Sequence, residues 1–181
     1  MSEKHKPLVI AIGSVSGGGK TTITTHLKQQ LENSQALFFD DFEFEGPDDV
    51  LKWVDDGANV EEWNLTPLVT DLEELLAQAL DYVLVDFPFA YQHSQMRHFI
   101  DLAVFIDTPL DIALTRRMAR DFKGSSADEI LGQLKQYETQ GRRAYLKMLE
   151  TIKPASDLVI DGTLTIVEIE KIVREHLTGI K

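Results

Sequence analysis

The sequence predicts an α/β protein whose parallel sheet is covered by helices on both faces. Three observations support this prediction: short apolar runs recur along the 181-residue chain, helix-like segments separate them, and a glycine-rich turn joins the first run to the first helix. None of the runs alternates apolar with polar residues, so both faces of each strand are expected to be buried. No Pro- or Ser-rich linker and no internal repeat divides the chain, which favours a single domain over residues 1–181.

Five short apolar runs are predicted to be the strands of this sheet. They are Leu8 to Ile12, Leu37 to Phe39, Tyr82 to Val85, Leu102 to Ile106 and Leu158 to Ile160. Acidic residues follow four of them, at Asp40 with Asp41, Asp86, Asp107 and Asp161. Because ligands of open α/β sheets bind beyond the carboxyl ends of the strands, we expect these acids to lie together around a ligand.

The helices are predicted from capping patterns and apolar stripes. Three capping-box patterns mark N-termini, at Thr108 with Pro109 and Asp111, at Ser126 with Glu129, and at Thr165 with Glu168. Three stripes at helical spacing are expected to be buried. They are Ile23, Leu27 and Leu31; Ile130, Leu134, Tyr137, Gly141, Tyr145, Met148 and Ile152; and Ile166, Ile169, Val173 and Leu177. The second stripe could serve a homodimer as readily as the core.

Composition excludes several classes of function. With 30 acidic and 18 basic residues the net charge is −12, which disfavours nucleic acid and anionic lipid as partners. The chain has no cysteine, and its five histidines show no metal-ligand spacing, so neither disulfides nor a thiolate or histidine metal site is expected. The start, Met1 to Lys6, is a polar tail, and every apolar run is shorter than a membrane span. A cytoplasmic protein is therefore expected.

The segment GSVSGGGKTT, Gly13 to Thr22, follows the first predicted strand and opens a helix, as a phosphate-binding P-loop does. Its backbone N–H groups and the helix N-terminus would hold a triphosphate. The expected nucleotide-binding residues are Ser14, Val15, Ser16, Gly17, Gly18, Gly19, Lys20, Thr21 and Thr22. The motif usually begins with glycine, and here Ser14 must make that turn. The alternative is a glycine-rich turn on which Lys20 is merely solvated.

Phosphoryl transfer requires a metal site and a group that orients or deprotonates the nucleophile. Asp86 ends the third predicted strand and would hold Mg²⁺ together with Thr21, although a strand-end Asp can instead cap the next helix. Asp40 is the candidate base and a further metal-site candidate, because it ends the second strand beside the expected γ-phosphate. Neighbouring Asp41 could share the role of base or be solvated.

Arginines that follow Thr108 could stabilise the charge of the transferred phosphate. Arg117 shares the apolar stripe of its helix, so it is expected to face an anion, either a phosphate or a buried strand-end acid. Arg120, one turn beyond Arg116, could contact phosphate or pair with Asp121 at the surface. The pair Arg142 and Arg143 is a weaker candidate.

Residues between Asp41 and Glu62 include nine acids and one base, Lys52. A segment this negative would repel a phosphorylated acceptor, so an acceptor bound beside it would be neutral or cationic. The alternative is a solvated surface loop. Trp53 and Trp63 flank the segment and could stack on a ring of the acceptor or pack in the core.

Several of these segments together resemble the uridine kinase-like branch of the P-loop kinases, which includes pantothenate, phosphoribulo- and nicotinamide riboside kinases. The resemblance spans most of the chain. It rests on SGGGKTT, FFDDF at Phe38 to Phe42, DYVLVDFPFAY at Asp81 to Tyr91 and VFIDTPLDIALTRRMARD at Val104 to Asp121. In these segments Asp40 is similar to the base of that group, Asp86 to its strand-end acid, and Arg116, Arg117 and Arg120 to the basic residues of its lid helix.

The resemblance implies a three-layer P-loop NTPase fold with strand order 2-3-1-4-5, bound ATP and Mg²⁺, and transfer of the γ-phosphate to a hydroxyl of a small molecule. It also implies an acceptor-side flap at about residues 41–66, with Asp41, Trp53, Trp63 and Arg116 as weak acceptor-site candidates, and a lid at about 116–143. It leaves the acceptor open, because the Tyr- and His-containing segment of uridine kinases is missing before Asp81 and the residues directly after Asp121, Phe122 to Ser126, include no further arginine.

A second hypothesis, from another class, is a P-loop ATPase or a nucleotide-sensing switch. In that protein Asp40 would position water or have no role, and bound nucleotide would change the contacts of the chain.

Overall fold

The computed structural model describes residues 6–180, and the polar start at Met1 to His5 lies outside them. Within that range five strands form one parallel sheet in the order β2-β3-β1-β4-β5. The strands are β1 (Leu8–Gly13), β2 (Ser34–Phe38), β3 (Tyr82–Asp86), β4 (Leu102–Asp107) and β5 (Leu158–Asp161). The predicted fold class and strand order are confirmed. Only β2 is displaced, since it starts three residues earlier than the apolar run predicts.

Helices connect the strands and cover both faces of the sheet. They are α1 (Lys20–Gln30), α2 (Val50–Asp55), α3 (Thr66–Leu76), α4 (Leu110–Asp121), α5 (Ala127–Gln136), α6 (Arg142–Thr151) and α7 (Ile166–Thr178). One π-helical turn, Tyr137–Gly141, joins α5 to α6. Among the described residues, no helix is both long and apolar enough to cross a membrane.

Alternate residues of β1 show why both faces must be covered. Ile10 and Ile12 pack with α1 and α7, while Val9 and Ala11 pack with α3 on the other face, and all four are buried. Successive side chains of a strand point to opposite faces, so a continuous apolar run needs a helix layer on each side. The result is a three-layer fold in which the strand ends remain accessible at one end of the sheet.

The register of the sheet fixes where the strand-end acids lie. Asp86 is paired with Ile12 of β1 on one side and with Phe38 of β2 on the other. The P-loop begins directly after β1, and Asp40 follows β2 by two residues. Hydrogen bonding of the three strands therefore brings Asp86, the P-loop and Asp40 to one end of the sheet.

Two of the three predicted capping boxes are confirmed, at Ser126 with Glu129 and at Thr165 with Glu168. The third prediction is wrong. Helix α4 begins at Leu110 without a side-chain cap, because the hydroxyl of Thr108 donates instead to the carbonyl of Gly18.

The predicted apolar stripes are confirmed in part. Ile23, Leu27 and Leu31 are buried, whereas Ile166 at the start of α7 is 40% exposed and Leu134 on α5 is 36% exposed. Ile166 begins its stripe, and Leu134 lies in the first half of the long one. In the long stripe, the buried side chains lie in the second half, at Tyr145 and Ile152.

Candidate active site

The glycine-rich loop between β1 and α1 has the backbone that a phosphate cradle needs. Gly17 and Gly19 have positive φ angles of 81° and 102°, which side-chain-bearing residues rarely adopt. A Cβ on Gly17 would also overlap the carbonyl oxygen of Ala113 in α4. The loop is therefore packed closely against α4 on one side, while around Gly19 no atom lies within 4 Å of such a Cβ.

Ser14 occupies the first motif position without the strained turn that the sequence suggested. Within the described residues it is not among those with positive φ. Its buried hydroxyl donates to the carbonyl of Ile106 at 2.8 Å. A Cβ on Gly18 would overlap this hydroxyl, and Thr108 holds the carbonyl of Gly18 at 2.8 Å. Ser14 and Thr108 thus fix the loop to the end of β4.

Lys20, Thr21 and Asp86 form the polar centre of the site. The hydroxyl of Thr21 donates to Asp86 Oδ2 at 2.6 Å, and Lys20 Nζ lies 2.9 Å from Asp86 Oδ1. Although that ammonium is close, Oδ1 is buried and receives no well-directed hydrogen bond within residues 6–180. A buried carboxylate oxygen with spare acceptor capacity beside a hydroxyl is a donor set that fits Mg²⁺.

Asp40 approaches the same lysine from the turn that follows β2. Its Oδ2 lies 3.6 Å from Lys20 Nζ, and its side chain is 80% exposed, so it is open to solvent and to a ligand. It sits in a short 3₁₀ turn, Phe39–Asp41, directly after β2. The turn directs Asp40 to the cleft, whereas Asp41 is exposed and does not line it.

A cleft of about 670 Å³ is lined by Lys20, Thr21 and Asp40, and buried Asp86 contacts the first two without lining it. Its residues fall into three sets: the P-loop from Ser14 to Ile23 without Val15; an aromatic and apolar set near Asp40; and an apolar set around the start of α7. The second set is Phe39, Trp53, Trp63, Pro88, Phe89 and Met148. The third set includes Gly162, Leu164, Ile166 and Ile169. One cleft can thus hold a triphosphate between two apolar subsites.

The three arginines of α4 divide between the cleft and the protein interior. Arg116 and Arg120 line the cleft. Arg117 does not: its Nη1 donates to the hydroxyl of Tyr145 at 3.3 Å, and its Nε lies 3.7 Å from Asp121. Asp121 is neither a phosphate nor a strand-end acid, so Arg117 does not have either of its expected partners within the described residues.

Arg120 also pairs with Asp121, at 2.6 Å from Nε to Oδ1. The hydrogen bond from Arg120 holds the pKa of the Asp121 carboxyl below its usual value, with a smaller contribution from Arg117. The nearby carboxylates of Asp121 and Asp40 help to raise the pKa of Arg120. Its guanidinium therefore stays charged at the rim of the cleft.

Two strand-end acids lie outside the cleft, so the expected gathering of all of them around a ligand is wrong. Asp107 pairs with Lys153, and Asp161 accepts hydrogen bonds from the backbone and hydroxyl of Thr163. Asp161 thus completes the turn after β5, whereas Asp107 links the end of β4 to the segment just before β5. Asp40 and Asp86, in contrast, lie beside the P-loop, because β2 and β3 end next to it.

Several acids of the segment 41–62 have structural roles. Asp49 caps α2, Asp55 pairs with Arg143 of α6, and Glu61 accepts from the backbone and hydroxyl of Ser94. The hydrogen bond from the Ser94 hydroxyl lowers the pKa of Glu61. These contacts hold the segment over the cleft, which brings Trp53 and Trp63 into the lining.

Two histidines make contacts within the scaffold. Buried His93 bonds through Nε2 to the carbonyl of Trp63 at 2.8 Å, and His26 contacts Glu170 across α1 and α7. Within residues 6–180 no group of three or more His, Cys, Asp or Glu side chains is arranged to hold a metal. A metal site of the Thr21 and Asp86 kind, with one carboxylate, is compatible with that result because it would be completed by phosphate oxygens and water.

Sequence reasoning missed the apolar lining of the cleft. Phe39, Phe89, Met148 and Leu164 line it, and none was a candidate. Phe89 and Pro88 follow Asp86 directly, so a signal existed: residues just after a strand that ends in a candidate metal ligand lie at the same end of the sheet. Met148 comes from α6 and could not be placed without the tertiary fold.

No family model matches the chain. Individual proteins are similar to it. The chain is 24% identical to a uridine kinase of Macrococcus caseolyticus over 184 residues, which covers 86% of this chain and 88% of that protein. A uridine kinase of Bacillus pumilus is equally similar, at 24% over 87% of both chains. The chain is thus similar to bacterial uridine kinases over most of its length. The resemblance and the class of enzyme expected from the sequence, a phosphotransferase with an alcohol group as acceptor, are confirmed by these relatives.

Solved structures agree at the level of the fold. A shikimate kinase of Aquifex aeolicus superposes with a TM-score of 0.54 at 16% identity, over 95% of this chain and 97% of that one. A deoxyadenosine kinase of M. mycoides gives 0.51 at 17% identity, over 96% of this chain and all of that one. The fold is therefore that of the P-loop kinases. The acceptors named for these relatives differ, so the fold does not select one.

Proposed function

We propose that this protein is an ATP-dependent kinase that transfers the γ-phosphate to a hydroxyl of a small, uncharged molecule. One observation carries the proposal: Asp40 lies 3.6 Å from the P-loop lysine, at the junction of the cradle and an aromatic subsite of the same cleft. A protein that only hydrolyses or senses nucleotide has no need for a second apolar subsite beside its phosphate site.

The P-loop residues Ser14 to Thr22 would bind the triphosphate. The backbone around Gly17 to Gly19 presents N–H groups at the N-terminus of α1, and Lys20 would contact the outer phosphates. Thr21 and Asp86 would hold Mg²⁺, with Asp40 in reach of the same region. When bound, that ion supplies positive charge to the phosphate oxygens as negative charge shifts to the leaving group.

Asp40 would act as the base. The acceptor hydroxyl gives its proton to the Asp40 carboxylate while its oxygen bonds to the γ-phosphorus, and the bond from that phosphorus to the β–γ bridging oxygen breaks to release ADP. The exposed position of Asp40 lets a hydroxyl reach it.

Arg116 and Arg120 would neutralise charge that develops on the transferred group, because both line the cleft from α4. In this proposal residues of about 41–66 form the acceptor-side flap and those of about 116–143 form the lid. The ion pair between Asp55 and Arg143 supports a flap that closes against the lid side, since it joins α2 to α6.

Mass spectrometry of phosphoryl transfer tests the proposal. The protein is incubated with ATP, Mg²⁺ and panels of nucleosides, vitamins and alcohols, and each compound is scanned for the mass gain of one phosphoryl group. We expect transfer to a compound without carboxylate or phosphate. Release of ADP at one rate whatever is added would favour an ATPase or a nucleotide switch instead.

A further inference from the structure

The peptide group between Gly18 and Gly19 belongs to the phosphate cradle, and its carbonyl end is held from outside the P-loop. The carbonyl oxygen of Gly18 accepts a buried hydrogen bond from the hydroxyl of Thr108 at 2.8 Å. Thr108 is only 2% exposed and is not among the described lining of the cleft, whereas Gly18 and Gly19 are. The carbonyl therefore points away from the cleft, into the protein at the end of β4.

The other end of this peptide group is the N–H of Gly19. The peptide bond is trans, so its carbonyl and its N–H lie in one plane and point in opposite directions. A carbonyl held towards Thr108 consequently turns the Gly19 N–H to the side on which Gly19 lines the cleft. Among the hydrogen bonds that residues 6–180 make outside helices and strands, none comes from that N–H. It is available to a phosphate oxygen.

Backbone sterics alone do not fix the orientation of this peptide group, because glycine stands on both sides of it. Gly19 has a φ of 102°, and glycine adopts φ values of either sign at little steric cost. Rotation of the peptide plane by half a turn would point the carbonyl oxygen into the cleft, where its negative end would repel a phosphate. The hydroxyl of Thr108 opposes this rotation, since the rotated state would leave a buried donor without its acceptor.

A second glycine, Gly162, gives Thr108 the room to make this contact. A Cβ on Gly162 would overlap the hydroxyl oxygen of Thr108 and would come within 2.8 Å of its Cα. The N–H of Gly162 donates to the carbonyl of Asp107 at 3.0 Å, so the turn after β5 is held against the end of β4. Thr108 is thus packed between that turn and the P-loop, with its hydroxyl directed at Gly18.

We propose that Thr108 is a positioning residue for nucleotide binding, whose hydroxyl holds the Gly18–Gly19 peptide group so that the Gly19 N–H faces the phosphates. In this role Thr108 does not contact the ligand and acts only through the peptide group. The inference rests on the proposed function, because it takes the ligand to be a triphosphate. It adds a residue outside the P-loop to those that determine phosphate affinity.

Calorimetric titration of the full protein with ATP and with inorganic tripolyphosphate, each with Mg²⁺, tests this role. Thr108→Val keeps the size of the side chain and removes the hydroxyl, so the Kd for both ligands should rise about tenfold. Thr108→Ser keeps the hydroxyl and should bring both Kd values to within about twofold of the wild type. Thr115→Val is the matched control, since exposed Thr115 bonds only to the carbonyl of Asp111 in its own helix.

Nuclear magnetic resonance shows whether the peptide group itself responds. Gly17 to Gly19 is the only run of adjacent glycines in the sequence. Glycine labelled with ¹³C at the carbonyl and with ¹⁵N therefore gives HNCO signals only for the N–H groups of Gly18 and Gly19, and triple-resonance assignment tells the two apart. The Gly19 signal reports both its own N–H and the Gly18 carbonyl. Tripolyphosphate should move that N–H downfield in the wild type and in Thr108→Ser, and much less in Thr108→Val.

Three results would overturn the inference: wild-type affinity for both ligands in Thr108→Val, equal losses in Thr108→Ser and Thr108→Val, or weaker binding by Thr108→Val with an unchanged Gly19 signal. Urea unfolding of each variant accompanies the titrations. A lower free energy of unfolding with unchanged Kd values would leave Thr108 a role in stability alone. If Thr108→Val does not fold, Thr108→Cys takes its place, because its thiol is a weaker donor of similar size.

Assays of phosphoryl transfer distinguish these results from failure of the kinase proposal. If the variants bind in the expected order and the wild type phosphorylates nothing in any panel, the role of Thr108 stands and the kinase falls. If the wild type phosphorylates a compound and Thr108→Val binds both ligands as tightly as the wild type, the kinase stands and the role of Thr108 falls. A wild type that binds neither ATP nor tripolyphosphate contradicts both.

Discussion

Lys20 and Asp86 form an ion pair in which Nζ lies 2.9 Å from Oδ1, with only 2% of the Asp86 side chain exposed. The lysine of the P-loop thus neutralises a buried carboxylate at the end of β3. Because Lys20 begins α1 and Asp86 ends β3, this contact links the stability of the fold to the chemistry of the site.

Removing Lys20 should therefore destabilise the protein as well as abolish nucleotide binding. We expect Lys20→Met to lower the free energy of unfolding by about 3 kcal/mol, since Asp86 would keep a buried charge without its partner. Adding Asp86→Asn to that variant should recover most of the loss. Urea denaturation of the wild type, both single variants and the double variant measures the coupling, and strictly additive losses would contradict it.

Asp40→Asn should reduce turnover on the order of 100- to 10,000-fold with little change in the affinity for ATP. The amide keeps the size of the side chain but cannot take the proton of the acceptor. Asp41→Asn is the matched control, because Asp41 is adjacent and does not line the cleft. Steady-state kinetics and calorimetric titration with ATP check both variants. Equal losses in turnover and ATP affinity for Asp40→Asn would remove its role as base.

Substitutions of the three arginines of α4 should affect kcat differently, depending on whether the side chain lines the cleft. Arg116→Gln and Arg120→Gln are expected to lower kcat on the order of 100-fold, because each removes positive charge from the cleft. Arg117→Gln should change kcat little, since Arg117 contacts Tyr145 and Asp121 instead. Rates measured at saturating ATP and acceptor decide this, and an Arg117 variant as slow as the other two would show that α4 rotates during turnover.

Glycines of the P-loop should differ in their response to alanine. Gly17→Ala adds a Cβ that overlaps the carbonyl of Ala113 and also strains a backbone at φ 81°, so we expect a loss above ~2 kcal/mol. Gly19→Ala meets open space and incurs only the backbone strain, of roughly 1–2 kcal/mol. Thermal and urea unfolding compare the two. A larger loss at Gly19 would contradict the packing of this loop on α4.

Acid sensitivity should depend on Glu170 of α7. Hydrogen bonds from Arg174 and then His26 lower the pKa of this carboxyl below its usual 4.5. A carboxyl with a lowered pKa in the folded state stabilises the fold above its ordinary pKa, and that contribution is lost as the pH falls from about 4.5 towards the lowered value. Glu170→Gln should flatten the fall in unfolding free energy over that window, whereas the exposed Glu175→Gln should not.

Local patterns explain why the sheet could be predicted and parts of the site could not. Apolar runs such as Leu8 to Ile12 and the GGGKTT turn contain their own signal, since burial on both faces and the left-handed glycines are local properties. The role of Thr108 was not local: it matches a capping pattern, yet its hydroxyl bonds to Gly18, which is distant in sequence. Tertiary contact outweighed the pattern.

Arg117 shows the same limit within the site. Helical spacing correctly predicts that it leaves the solvent, but periodicity gives only a face and not the partner on that face. Tyr145 is that partner, together with Asp121. The aromatic lining near Asp40 was predicted only at Trp53 and Trp63, because Phe39, Trp53 and Phe89 come from three separate segments that meet only in the tertiary fold.

The pairing of Asp86 with Ile12 on one side and Phe38 on the other has an evolutionary consequence. A residue inserted within β3 would turn Asp86 to the opposite face, so selection can alter this carboxylate only by replacing it, not by shifting it. Residues of about 41–66 and 116–143, which we propose as flap and lid, are free of that constraint because they lie outside the strands. New acceptors can thus be acquired by remodelling those loops while the phosphate machinery is inherited intact.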